Sequence, residues 1–475
     1  MIEEKVNIIK SSTKLFTSNG LRAVISFLAL TYFTKNLPSS ALGSFFLFQA
    51  SLGILSIPAD FGLLGAIEKR ISEDNSPEQV LTTALLLKLI PLSIVSILII
   101  LFQNNINEYL EVELAGWLVI GLFLLSLKEL MIKVLRGEMR VGETASLQFI
   151  DKFLWAAIGI ILVLNGYGTE GLVYGLLTGH AFVFLIGMYK RSTNFGLPSW
   201  EKAQSLYNYA KYNVISSTGS YVYNWMDVAM LGFFVSPSLI SAYEVAWRVS
   251  SLLLMFSRSI ATSLFPQISS WEIDGKYDEI ESILPKTLFF TLLFVIPGFF
   301  GISILSKQIL TIIFTPEYAV AWVALIILSA ERLFHSIHMI LGRTLNGINR
   351  PNLAARATVA SLLINLVLNA VLISQFGIIG AALATSISFI VNAYLHAKYL
   401  SNYIDISVDR DNMSWLLFSS VLMSFVVLVI AVFISVDTLT ILLLYVLIGA
   451  ITFSLVMLVK KSVRKEVINI TNSIL

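Results

Sequence analysis

Arg248 lies near the middle of the apolar stretch 237–262, with Glu244 four residues before it. On a helix that spacing puts both side chains on one face. An ionised group at the centre of a hydrocarbon layer costs at least about 2.5–3.5 kcal/mol, so such residues face protein or a wet cavity. Two chemistries fit the pair: a self-neutralising ion pair, or an arginine fork that grips a phosphate or pyrophosphate while Glu244 tunes its field. Arg22 raises the same question about nine residues into the stretch 13–34, roughly 13 Å of helical rise from its start. That stretch is unusually polar, carrying Ser18, Asn19 and Ser26, and the stretch 207–232 matches it with Asn213, Ser217, Tyr221 and Asn224. Amides, hydroxyls and aromatic rings suit a sugar chain, although small polar residues also pack helices together.

Lys88, about eight residues or roughly 12 Å into the stretch 80–102, is a further candidate contact for an anionic substrate, and a lysine can also snorkel that far to an interface. Asp60 and Arg258 occupy equivalent places at an offset of 198, where anchoring at the membrane rim competes with ion coupling. The run ERLFHSIH (331–338) sets Glu331 and His335 one turn apart, with Arg332 beside them. A proton relay could be built from these three, and so could a satisfied polar contact between helices. The four histidines are too scattered for a metal site, no GxxxxGK[ST] loop offers ATP hydrolysis, and the chain has no cysteine. Neither a cofactor nor an enzymatic role is expected.

These residues need helices long enough to carry them through a membrane. Of 475 residues 56% are hydrophobic and only 13% charged, too few charges to cover a soluble surface. Apolar runs of the ~20 residues that span a bilayer recur from end to end. They predict fourteen spans, at roughly 13–34, 41–66, 80–102, 112–135, 144–165, 169–190, 207–232, 237–262, 285–306, 317–340, 354–376, 377–400, 413–435 and 438–460. With the N-terminus in the cytoplasm, nearly every Lys and Arg near a span end falls inside, among them Lys69, Arg70, Lys133, Arg140, Arg343 and Arg350. Only Lys35 and Lys307 are left outside, which predicts that both termini are cytoplasmic.

The spans also repeat. KVLRGEMR (133–140) and RTLNGINR (343–350) share a basic-x-Leu-x-Gly-x-x-Arg pattern at an offset of 210. YGTEGLVYGLLT (167–178) and FGIIGAALATSI (376–387) follow at 209, and Ser18-Asn19-Gly20 pairs more weakly with Ser217-Thr218-Gly219 at 199. The expected fold is an all-α polytopic membrane protein: two parallel, pseudo-symmetric six-helix lobes (1–195 and 196–405), followed by two C-terminal helices and a cytoplasmic tail (406–475). In each corner motif the glycine is expected to permit a tight turn.

The segments LPSSALGSFFLFQASLGILSIPADFGLLGAI (37–67), DVAMLGFFVSPSLISAYEVAWRVSSLLL (227–254), SLFPQISS (263–270) and FGIIGAALAT, in that order, resemble the multidrug/oligosaccharidyl-lipid/polysaccharide (MOP) exporter superfamily. Within it the chain is similar to the Wzx-type polysaccharide-biosynthesis flippases. That resemblance implies a V-shaped pair of lobes around a cavity that opens alternately to either side. It also implies export of a polyprenyl-(pyro)phosphate-linked oligosaccharide from the cytoplasmic to the outer leaflet of the cell membrane, for surface polysaccharide or glycoprotein assembly. Partners would be the lipid-linked oligosaccharide, membrane lipid, an H⁺ or Na⁺ coupling ion and glycan-assembly enzymes, with no nucleic acid. A cation-coupled drug or metabolite antiporter and a peptidoglycan-precursor flippase share the fold and stand as alternatives. A membrane-bound glycan polymerase or glycosyltransferase, which carries a large outer loop, does not fit.

Overall fold

The computed structural model describes residues 20–73 and 76–464, and of residues 212–222 only the backbone. Among these the regular elements are all helical. A first helix, α1 (20–36), is followed by α2 (Ser39–Asp60), α3 (Leu63–Glu73), α4 (Pro77–Leu101), the short α5 (Gln103–Leu110), α6 (Ala115–Gly137), α7 (Val141–Leu164), α8 (Thr169–Lys190) and α9 (Trp200–Leu231). Then come α10 (Pro237–Ser251), α11 (Leu254–Ile273), α12 (Tyr277–Gln308), a π turn and a 3₁₀ turn, α13 (Trp322–Gly347), α14 (Pro351–Leu400), α15 (Arg410–Phe433) and α16 (Leu439–Val459). Nine of the described helical stretches are long and apolar enough to cross a bilayer, ten if the bent α10–α11 pair is one span. Packing divides the chain into one compact unit ending at Ser241 and a second beginning at Ala242.

Two of the expected spans are broken. The stretch 41–66 stops at Phe61, which is left-handed at φ 49°, and Gly62 at φ 76°, before α3 resumes the helix. The stretch 237–262 bends by 52° between α10 and α11. The α14 stretch holds two helices, 351–376 and 378–400, meeting at Gly377 (φ 53°, ψ −129°). Hydrogen bonds from Ser361 Oγ to the Ser388 carbonyl (2.7 Å) and from Asn365 Nδ2 to Thr385 Oγ1 (3.4 Å) show that they run antiparallel.

Each unit contains the same corner. In the first, Ile71 of α3, Val80, Leu81 and Ala84 of α4, and Leu130 and Met131 of α6 form one buried cluster. In the second, Ile268 of α11, Ile280 and Leu284 of α12, and Ile340 and Leu341 of α13 form its counterpart. The basic-x-Leu-x-Gly-x-x-Arg motifs end α6 and α13 in one turn geometry: the Arg140 amide donates to the Leu135 carbonyl and the Arg350 amide to the Leu345 carbonyl, each at 2.9 Å. The left-handed residues are Met139 (φ 60°) and Asn349 (φ 58°), one before each arginine, and not the glycines. This corrects the expected role of Gly137 and Gly347. A Cβ on Gly137 would lie 2.8 Å from Ile71 Cβ, and one on Gly347 would lie 2.6 Å from Ile268 Cγ2. The glycines are needed for close approach of α6 to α3 and of α13 to α11. Each arginine then holds the chain that leaves its bundle. Arg140 donates to the Lys190 carbonyl (2.5 Å) and Ser192 Oγ (3.2 Å), whereas Arg350 lies over the Tyr403 ring at 4.7 Å.

Helix α8 meets α7 through a ridge of glycines four residues apart. A Cβ on Gly175 would sit 2.9 Å from the Trp155 carbonyl oxygen, and one on Gly179 2.7 Å from that of Asp151. With lipid as apolar as the side chains, such close packing is what joins membrane helices.

Substituting valine for Gly137 or Gly347 should overpack its corner and lower stability by about 1–3 kcal/mol. Met139→Gly should instead raise stability by about 1 kcal/mol by relieving the left-handed strain. Thermal unfolding in detergent measures both signs.

Candidate functional site

The expected site residues fall into pairs and clusters that the helices bring together. Asn19 lies outside the described residues, and the side chains of Asn213 and Tyr221 on α9 are likewise not described. Asn224, one turn beyond Tyr221, is exposed on α9. Arg22 on α1 is half-buried and donates through Nη1 to Gln148 Oε1 of α7 at 2.7 Å.

Lys88 and Asp60, unrelated in the sequence reading, form one ion pair at 2.5 Å between α4 and α2. Asp60 ends α2 at the break, and its other carboxylate oxygen accepts the Leu64 amide at 3.3 Å, capping the start of α3. Lys88 is buried, so it neither snorkels nor stands free for a ligand. On α10, Arg248 Nε donates to Glu244 Oε2 at 2.9 Å, as the i,i+4 spacing predicts. Glu244 is buried, whereas Arg248 is half-buried.

Glu331, Arg332 and His335 are also together, on α13. Arg332 Nη1 lies 2.8 Å from Glu331 Oε2, and His335 Nδ1 lies 3.0 Å from Glu331 Oε1. Both Glu331 (0% exposed) and Arg332 (1%) are sealed. Arg332 donates to Ser250 Oγ at 3.0 Å and covers the Trp247 ring at 5.2 Å, tying α13 to α10. His335 stacks on Phe389 at 4.1 Å. Arg258 is exposed on α11.

Sequence reasoning missed one cluster. Lys128 of α6, Asp151 of α7 and His180 of α8 are 7%, 7% and 4% exposed. Lys128 Nζ is 3.3 Å from Asp151 Oδ2, and His180 Nδ1 is 2.8 Å from Asp151 Oδ1. Lys128 also meets the half-buried Glu129 at 3.3 Å. A signal was present: Lys128, Asp151 and His180 lie about seven, seven and ten residues, roughly 10–15 Å, from the same-side end of consecutive predicted spans. The GxxxGxxxG ridge of α8 would have sharpened it, because Gly179 is what lets His180 reach Asp151. No group of three or more His, Asp or Glu suited to a metal ion occurs among the described residues.

A family profile described as "Polysaccharide biosynthesis protein" matches residues 37–323. The probable low-salt glycan biosynthesis flippase Agl15 of Haloferax volcanii is 43% identical over 460 residues, covering 97% of this chain and 98% of the relative. The chain belongs to the polysaccharide biosynthesis protein family. Its fold is similar to that of the lipid II flippase MurJ in an inward closed conformation, with a TM-score of 0.77 at 18% identity over 94% of this chain and 98% of the other. A second likeness is to an inward-facing multidrug resistance MATE family transporter of the MOP superfamily, with a TM-score of 0.62 at 16% identity over 80% and 95% of the two chains. This member of the polysaccharide biosynthesis protein family is therefore an all-helical, multi-pass membrane protein with the MOP fold.

In this family member the Lys88–Asp60 pair closes the α2–α3 break, and losing either half strands the other in a low dielectric. Lys88→Met alone should destabilise by about 3–5 kcal/mol, while Lys88→Met with Asp60→Leu should recover much of that loss. Chemical or thermal unfolding of the purified variants tests this.

Proposed function

We propose that the chain is a flippase: a secondary transporter that moves a polyprenyl-(pyro)phosphate-linked oligosaccharide across the cell membrane by alternating access, for surface polysaccharide or glycoprotein assembly. The observation that carries this reading is full-length similarity at 43% identity to a relative named as a glycan biosynthesis flippase. Side-chain chemistry supports it. Arg22 and Arg248 are deep, half-buried guanidinium groups, the side chain best suited to recognising a phosphate. Asn19, Asn213, Tyr221 and Asn224 are assigned to the sugar. Glu244 holds Arg248 in place, and Lys88 with Asp60 acts behind the site through the α2–α3 break. Glu331, Arg332 and His335 remain candidates for ion coupling, with the sealed Arg332 contacts favouring a joint between α13 and α10.

The topology in this reading has fourteen spans with both termini in the cytoplasm. Beside the apolar helices it counts α1, α6 and α9, treats α10–α11 as one span, and separates the halves of α14. Repeats at 1–195 and 196–405 form the lobes, and 406–475 supplies the added pair of helices. The inside-negative potential favours outward movement of an anionic head group by ~2.3 kcal/mol per charge per 100 mV. The carrier's hydrocarbon tail stays in lipid, because burying it in protein gains little.

Arg248→Ala should abolish glycan export in cells at unchanged protein level, and normal export would remove Arg248 from the site. Arg22→Ala should weaken binding of a phosphorylated lipid carrier in reconstituted membranes; unaltered affinity would assign Arg22 to structure. Single cysteines placed at Met139 and Asn349 should both be labelled from the cytoplasmic face by an impermeant reagent. Labelling from opposite faces would refute the parallel repeat.

A further inference from the structure

The buried Lys128–Asp151–His180 cluster joins α6, α7 and α8, and the chain itself shows that the same helix triplet can be built with other residues at these positions. The repeat builds the same helix triplet twice. At the offsets that align the corner and hairpin motifs, the equivalents of Lys128, Asp151 and His180 are His338, Ser361 and Phe389. The second copy is joined by neutral contacts: Ser361 Oγ donates to the Ser388 carbonyl at 2.7 Å, and the His338 and Phe389 rings meet at 5.8 Å. At these three positions the second copy thus holds no acid and no lysine, its buried Glu331, Arg332 and His335 lying elsewhere on α13, whereas the first copy holds three ionisable groups in direct contact. Retaining charges in a low dielectric is costly when an apolar solution exists, so the charges of the first unit need another reason.

Their surroundings supply one. Asp151 is a single carboxylate shared by several cations. Lys128 approaches one oxygen and His180 the other. Lys152 on its own helix and Arg22 on α1 both act on it through their fields. Glu129 beside Lys128 is the other acid. Arg22 reaches this group through Gln148, which precedes Asp151 by three residues on the same face of α7. A phosphate gripped by Arg22 would therefore draw positive field away from Asp151.

We propose that the Asp151–His180 pair is a charge-compensating proton site linked to the head group: an anionic phosphate engaging Arg22 is accompanied by uptake of one proton at this pair. The inference rests on the flippase reading and assigns a protein-bound counter-charge to its substrate. The sign follows from electrostatics. An added anion, or the turning of Arg22 and Lys128 toward it, favours the protonated form of a nearby acid–base pair. Linkage is reciprocal, so protonation strengthens binding of the anion by the same factor. The pair titrates as a unit, so the uptake belongs to both residues together. This direction makes the device a compensator that reduces the charge carried across the hydrocarbon. It does not make it a harvester of protons, since an acidic exterior would oppose export of a proton-loaded complex.

The test is titration calorimetry of the purified full-length protein with a polyprenyl phosphoryl hexose in two buffers of different ionisation enthalpy. The probe is a phosphodiester and lacks the second ionisation, near pH 6, of a phosphate monoester. Wild-type protein should bind it with net uptake of up to about one proton per lipid at neutral pH. His180→Asn keeps a donor facing Asp151 but cannot titrate, and it should bind with the uptake lost. If that variant folds poorly, Lys128→Met with Asp151→Asn removes the charges as a pair and should lose the uptake in the same way. Binding by wild-type protein without proton exchange, or uptake that persists in these variants, overturns the proposal and leaves the flippase reading intact. Absence of any binding to wild-type protein overturns both.

Discussion

Hydrocarbon does not solvate charge, and four ion pairs among the described residues of the helices follow from that rule. Lys88 finds Asp60, Arg248 finds Glu244, Arg332 finds Glu331, and Lys128 finds Asp151. The same rule acts on the backbone, because an unpaired amide in lipid costs several kcal/mol and helices satisfy all but their ends internally. Where α2 stops at Phe61, the exposed end of α3 is met by the Asp60 carboxylate that also neutralises Lys88. Helix geometry and charge pairing are thus two consequences of one constraint, joined at the α2–α3 break.

Graded burial separates charges that hold the structure from charges that face outward. Arg332 is sealed under Trp247 with its fork spent on Ser250 and Glu331, and Lys88 is buried against Asp60. Arg22 and Arg248 are only half-buried. A guanidinium with five donors can hold one protein partner and still present a second edge to an oxyanion, which an ammonium does less well. That difference is why the proposed reading gives the phosphate to the arginines and not to the lysines.

The internal repeat shows which features the fold requires. Both corners keep a glycine for helix contact, a left-handed residue and an arginine on the departing chain, so these are demands of the architecture. The buried charges of α6–α8 appear in one copy only, and the ladder Ser361, Asn365 and Asn369 on 351–376 in the other. The two corners thus share a turn and a packing scheme and differ in the polar residues nearby.

Composition and apolar run length were enough to establish a helical membrane protein, and residue spacing alone exposed the paired corner motifs and the Glu244–Arg248 pair. Those features are local, or recur at a fixed offset, so they survive in one dimension. Partners on different helices do not. Lys88 and Asp60 are 28 residues apart, Asp151 and His180 29, and Arg22 and Gln148 126. Which of many deep polar groups meet is decided by helix rotation and by the few ångströms of approach that Gly179 allows between α8 and α7. Helix breaks at Phe61 and between α10 and α11 were not read, although Pro58, Asp60 and Gly62 surround the first and Ser250-Ser251 precede the second, because such residues also occur inside continuous membrane helices. Tertiary packing chose the partners, and with them how deeply each charge is buried.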